Sequence, residues 1–273
     1  MGDGIPALAR QFFARGWCAF PHDPALAAWA ETARPLAEAT LDHPDLRTRW
    51  LRCGGTWFAG VHALPNDAAG AVPGHGVPPL AGAALEFIGA ALGLAGIALD
   101  RAQVSICFPG YPQPWEGESE AALRYRRERD AAHVDGLTRV EPGRRRRLGE
   151  THAFILGIAL TETRPEAAPF TVYEGSHAIM RRAFRARLAP IDPARWGEED
   201  ITEAYHAARR EAFATCKRVT LHARPGEAYI AHRLVLHGVA PWGDPAETRP
   251  RAIAYFRPGL PQGDGPAGWL ERP

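Results

Sequence analysis

The sequence predicts an α+β fold, an N-terminal helical section followed by a jelly roll, and three observations carry that expectation. Residues 1–100 hold helix-period apolar faces separated by Gly and Pro, whereas residues 101–260 break into many short apolar segments with turn residues between them. At 273 residues, 46% hydrophobic, the chain is long enough for one well-buried core, as barrels and sandwiches of this size are commonly single domains. No internal repeat, low-complexity tract or interdomain linker divides it, so one domain over 1–273 is expected.

Leu8, Phe12 and Phe13 share a helical face within residues 7–15, and Gly16 stops that helix before the apolar segment Trp17 to Phe20. Asp23-Pro24 supplies an N-cap and a first-turn proline to a second helix, with Leu26, Trp29 and Ala33 inward. Trp57 and Phe58 stand as an aromatic pair between glycines, read first as core and alternatively as a substrate-pocket wall. A Gly/Pro-rich loop over 65–79 precedes an alanine-rich helix near 80–94, and 102–108 reads as a strand.

Residues 111–131 form a polar insertion with Trp115 and arginines 124, 126, 127 and 129, read as a solvated helix, with a lid meeting an anionic substrate as the alternative. Arg144 to Arg147 read as a surface loop. Phe154 to Leu160 and Phe170 to Tyr173 are expected to pair as an antiparallel hairpin. A helix between Asp192 and Cys216 covers the sheet, and strands resume at 218–223, 228–231, 235–239 and 251–256.

Net charge is +1, which supplies no general field for nucleic acid or an anionic membrane surface. The longest apolar run, Phe87 to Leu99, is too short to cross a bilayer. Met1 to Pro6 carry no targeting pattern, so a soluble cytoplasmic protein is expected. The four cysteines are scattered and read as reduced core thiols.

Chemistry gathers at His133-Val134-Asp135 and at His237-Gly238. Alternate residues of an extended strand share a face, so His133 and Asp135 can aim an imidazole and a carboxylate at one point. With a second histidine they match the two-His, one-carboxylate set of non-haem Fe(II) oxygenases, although His-x-Asp alone is weak and fits a loop histidine bonded to a carboxylate.

The ordered set His133-x-Asp135, Ile158-Ala159-Leu160-Thr161-Glu162 with Gly175-Ser176-His177, Pro225-Gly226-Glu227-Ala228, His237-Gly238 and Arg251-Ala252-Ile253 resembles the phytanoyl-CoA dioxygenase family. The resemblance covers most of the chain. It implies a double-stranded β-helix, cupin-like core and an Fe(II)- and 2-oxoglutarate-dependent dioxygenase that uses O2 to hydroxylate an unactivated C–H bond of a small organic substrate. It further implies that His133, Asp135 and His237 bind iron and that Arg251 holds the distal carboxylate of 2-oxoglutarate. Arg249, two residues earlier, competes for that role, and His232 competes with His237. Asp135 stands where halogenating relatives carry a small residue, so hydroxylation or a related oxidation is implied. Trp57, Phe58 and Trp115 are the substrate-binding candidates. Trp242 and the long 111–131 segment depart from the family pattern at the pocket mouth, so substrate identity, a coenzyme A thioester included, does not transfer. Two further classes stay open at this level, a non-catalytic metal- or ligand-binding jelly roll and a zinc hydrolase.

Overall fold

A computed structural model describes residues 4–272; the reading made on Met1, Gly2 and Asp3 lies outside them. Helices α1 (Gly4–Arg15), α2 (Pro24–Ala39), α3 (Pro44–Trp50) and α4 (Ala83–Leu92) alternate with strands β1 (Trp17–Phe20), β2 (Leu51–Arg52) and β3 (Trp57–Gly60). Then follow β4 (Gln103–Cys107), α5 (Glu120–Arg129), β5 (Leu137–Val140), β6 (Arg145–Leu148), β7 (Phe154–Ala159) and β8 (Phe170–Tyr173). The chain finishes with α6 (Ser176–Leu188), α7 (Thr202–Thr215), β9 (Arg218–Leu221), β10 (Ala228–His232), β11 (His237–Val239), β12 (Arg251–Phe256) and α8 (Gly265–Glu271).

Seven strands form the major sheet in the order β1-β10-β7-β12-β4-β3-β2, and β11-β8-β9 form a smaller sheet facing it. The fold is the mixed helix-and-sheet jelly roll that the strand pattern predicts. Strand alternation divides the side chains: Phe58, Val104, Ile106, Leu156, Ile158, Ala254 and Phe256 join Phe12, Leu26, Trp29 and Phe87 in a helix-side core. The opposite parity, Ile155, Tyr229, Ile253 and Tyr255, packs between the sheets against Phe170 and Val172. A third cluster lies beneath α6, α7 and α8, built on Met180, Phe184, Tyr205, Leu236 and Trp269.

Several expectations change. The section before residue 100 is not only helical, because β1, β2 and β3 are integral to the major sheet. Phe154–Ala159 and Phe170–Tyr173 are no hairpin: β7 is flanked by β10 and β12 in the major sheet, while β8 lies between β11 and β9. Both faces of β7 are buried, so its neighbours come from distant sequence and residues 161–169 carry the chain across the sandwich. Arg145 to Arg147 lie in a strand, where β6 pairs with β5 in a two-stranded ribbon. Helices α6 and α8 were not anticipated; the arginines of α6 dilute an apolar stripe formed by Ile179, Met180, Phe184 and Leu188.

The four cysteines are free, with Cys18, Cys53 and Cys107 buried. Among the described residues no helix is long and apolar enough to cross a membrane.

Candidate metal centre

The segment before His133 is not a continuous strand. Asp130 and Ala131 both take left-handed backbone, φ 57° and 51°, ending α5 with a sharp turn. His133 then makes a single antiparallel bridge to His237, its N–H donating to the His237 carbonyl at 2.8 Å and its carbonyl accepting the His237 N–H at 3.0 Å. Two histidines 104 positions apart thereby become cross-strand neighbours, with ring centroids 4.7 Å apart.

Gly238 has a steric reason to follow His237. A Cβ there would stand 2.2 Å from the Asp130 carbonyl oxygen, which accepts the Val239 N–H. The absent side chain lets the turn before His133 close against β11.

His133 Nε2 lies 3.1 Å from Asp135 Oδ1, and His237 Nε2 lies 3.5 Å from Oδ2. One donor atom from each residue lies within 4.8 Å of the others, a spacing that could hold a metal ion. Each histidine places Nδ1 3.0 Å from a backbone carbonyl, Ala131 for His133 and Val235 for His237. Carbonyls only accept, so Nδ1 carries a proton in each ring and Nε2 is the nitrogen turned to Asp135, the one a metal would take in place of any proton shared with the carboxylate.

Asp135 is further fixed by Arg257, whose Nη1 donates to Oδ2 at 3.1 Å. Burial alone would raise the carboxyl pKa, but Arg257 first, then the two histidines, hold it well below the usual carboxylate range. Gln103 accepts from Arg257 Nη2 at 2.5 Å, and the buried His152 places Nε2 4.0 Å from Oδ2.

Arg251 points inward from β12. Its Nη2 lies 3.4 Å from Cys107 Sγ, its Nε has no hydrogen-bond partner, and no carboxylate pairs with it among the described residues. A guanidinium only 4% exposed and without a counter-ion is costly unless an anion joins it. Arg249 is different: its side chain is 62% exposed and doubly bonded to Glu247, and it lines a separate cavity with Arg34 and Glu38 of α2.

A cavity of about 380 Å³ opens on the cluster, walled by Trp50, Trp57, Tyr111, Trp115, Phe170 and Tyr255. Trp57 lines it, its Nε1 donating to Ser105 Oγ at 3.0 Å. Trp115 stands at the mouth with the Arg126 guanidinium 4.5 Å over its ring. Phe58 takes the core place and not the substrate-binding one: strand parity turns it to the opposite face, fully buried among the helices.

His232 has no free lone pair for a metal, because the Leu234 N–H and Arg181 Nη2 each approach one ring nitrogen at 2.9 Å. His177 bonds the Phe13 carbonyl at 3.1 Å and braces α1 instead.

Arg257, Arg52, Tyr111 and Asp130 are site residues the sequence reading did not reach. Arg257 was accessible in principle, since 251, 253, 255 and 257 share one strand parity. Asp130, held by Arg218 in two bonds of 2.7 and 2.8 Å across 88 positions, had no local signal.

No protein-family model matches the chain, and no curated protein matches it. Solved structures do. The chain is similar to AviO1 from Streptomyces viridochromogenes Tue57, with TM-score 0.51, 12% identity, and coverage of 94% of this chain and 96% of that one. It also matches SnoN, a non-heme alpha ketoglutarate dependent epimerase from nogalamycin biosynthesis (TM-score 0.49, 16% identity, 95% and 86% covered). EctD from S. alaskensis with bound Fe gives TM-score 0.47 and 14% identity, over 94% and 77%. At these identities the likeness describes the fold.

Proposed function

We propose that the chain is an Fe(II)- and 2-oxoglutarate-dependent dioxygenase that hydroxylates a small organic substrate. His133, Asp135 and His237 would hold the metal and Arg251 the distal carboxylate of 2-oxoglutarate. The observation that carries the reading is the pairing of two features inside one sandwich: a His-Asp-His donor set with both Nε2 atoms inward, and a buried guanidinium lacking an anion.

A facial set of two imidazoles and one carboxylate leaves positions open for a chelating cosubstrate and dioxygen. Bound there, Fe(II), 2-oxoglutarate and O2 would supply the oxidising power for C–H functionalisation, a chemistry that belongs to the cofactor rather than the chain. The chain's own part is orientation. Arg257 fixes one oxygen of Asp135, the two carbonyls fix the imidazoles, and the aromatic walls set an apolar surface beside the cluster. Planar guanidinium geometry suits a carboxylate, and Arg251 would receive it without competition from a protein acid among the described residues.

A zinc hydrolase would need a general base beside its metal water. Among the described residues the other carboxylate lining the cavity is Asp130, and Arg218 occupies both its oxygens.

Anaerobic titration of Fe(II)-loaded protein with 2-oxoglutarate tests the proposal. A weak visible metal-to-ligand charge-transfer band is expected, weakened in Asp135→Ala and Arg251→Leu and unchanged in Arg249→Leu. Iron binding without the band rejects the cosubstrate, and a Zn-only or metal-free protein rejects the oxygenase.

A further inference from the structure

We propose that the cavity takes an organic carboxylate with an apolar ring body, and that Arg52 receives the carboxylate. The inference deepens the oxygenase reading and rests on it for what happens to the bound molecule.

Register places the key side chains in one row. Arg251 on β12 pairs with Cys107 on β4, Cys107 with Trp57 on β3, and Trp57 with Arg52 on β2. Directly paired residues share a face, so two arginines stand at the ends of a row whose inner members are a thiol and an indole. Three strand spacings separate them, roughly 14 Å. One cation therefore serves the cosubstrate end and the other lies apart from it, on the outermost strand and in the cavity wall.

The charges lining this cavity are otherwise spent. Asp130 is neutralised by Arg218, and Asp135 by Arg257. Arg126, beside Trp115, is paired with the buried Glu118. Arg52 is half-buried; it donates to its neighbour's carbonyl, Leu51 O, at 3.3 Å, rests 5.8 Å from the centre of the Trp50 ring, and forms no ion pair among the described residues.

The neutral polar groups point the same way. Arg257 can only donate, so the Gln103 oxygen faces it and the amide NH2 is left for another acceptor. The Ser105 oxygen already accepts from Trp57 Nε1, which leaves its proton to donate. A cavity with donors to spare and no unengaged carboxylate selects an acceptor-rich anion over an amine, while Trp50, Trp57, Tyr111 and Trp115 supply flat apolar surface.

Calorimetric titration of Mn(II)-loaded protein with naphthoate, naphthylmethanol and naphthylmethylammonium, with and without saturating 2-oxoglutarate, tests this. Naphthoate is expected to bind about tenfold tighter than the alcohol, with the ammonium weakest, as one charge-assisted pair implies. The preference should vanish in Arg52→Gln, persist in Arg52→Lys, and survive saturating 2-oxoglutarate. Equal affinities, no naphthoate binding, or a preference that outlasts Arg52→Gln overturns the proposal. Loss of the preference on adding 2-oxoglutarate also overturns it, because the carboxylate then sits at Arg251. If the charge-transfer band is absent but the Arg52-dependent preference is present, the cavity assignment stands and the oxygenase reading falls.

Discussion

Arg251 opens β12 and Arg257 follows it on the same parity, yet their surroundings give them different work. Arg251 has a sulfur for a neighbour and an orphaned Nε. Arg257 is fully engaged, with Asp135, Gln103 and, through its backbone N–H, Asp100 at 2.7 Å. It holds the Asp135 oxygen nearest His237, which fixes the carboxylate's orientation within the candidate metal cluster. Partners of this kind typically change metal affinity by about 10–100-fold when removed. Arg257→Met is therefore expected to weaken Co(II) binding, measured by chelator competition, by a factor in that range. Arg249→Met should leave it unaltered, and equal Co(II) affinity in Arg257→Met and the parent protein would remove Arg257 from the centre. The sequence showed the donor residue types and their order, because motifs such as His-x-Asp are local. It could not show Arg257 touching Asp135, since that meeting requires β12 and the turn after His133 to be brought together across 122 positions.

Among elements, the loop entering β12 shows how one buried acid anchors the strand that carries Arg251. Glu247 accepts the Arg249 and Arg164 backbone N–H groups, each at 3.0 Å, and both forks of the Arg249 side chain. The Arg249 bonds lead in lowering its carboxyl pKa to about 2. The sign follows from linkage: a carboxyl depressed below its unfolded value, near 4.3, stabilises the fold above that value and loses the contribution as pH falls through about 2. Amide exchange protection at Arg164 and Arg249 should thus persist at pH 4 and fade only as pH approaches 2. Glu247→Gln should lower protection at neutral pH and flatten its pH dependence; protection already lost near pH 4 would contradict the anchoring role. Element reading from sequence succeeded where a segment is locally punctuated, as at Asp23-Pro24, whose Asp23 side chain accepts the Ala25 N–H at 2.8 Å. It failed where partners decide: β7 has the pattern of any buried strand, and its neighbours β10 and β12 follow from the closure of the sandwich.

At the scale of the molecule, the C-terminal helix closes the side of the sandwich that the N-terminal helices leave open. Trp269 of α8 is fully buried and stacked on Phe184 of α6, ring centroids 5.8 Å apart. Arg233 donates to its carbonyl at 2.6 Å, and Arg181 to the Arg272 carbonyl at 2.7 Å, so one buried and one half-buried cation fasten α8 and the residue after it through backbone oxygens. The same indole reaches the ligand segment: Nε1 would stand 3.4 Å from a Cβ on Gly136, the residue after Asp135. One side chain thus packs both in the core cluster beneath α6, α7 and α8 and against the residue after Asp135 of the candidate metal cluster. Trp269→Ala should cost roughly 3–5 kcal/mol of unfolding free energy in urea, the range for emptying a large aromatic site. Because Nε1 has no partner, Trp269→Phe removes an unsatisfied donor along with part of the ring and should cost distinctly less than the alanine change. Co(II) affinity should follow the same order, lowest for alanine, because the cavity it leaves frees the backbone beside Asp135. If alanine unfolds at a lower urea midpoint while Co(II) binds both variants as it binds the parent, α8 is a cover for the third core cluster and has no part in setting the carboxylate.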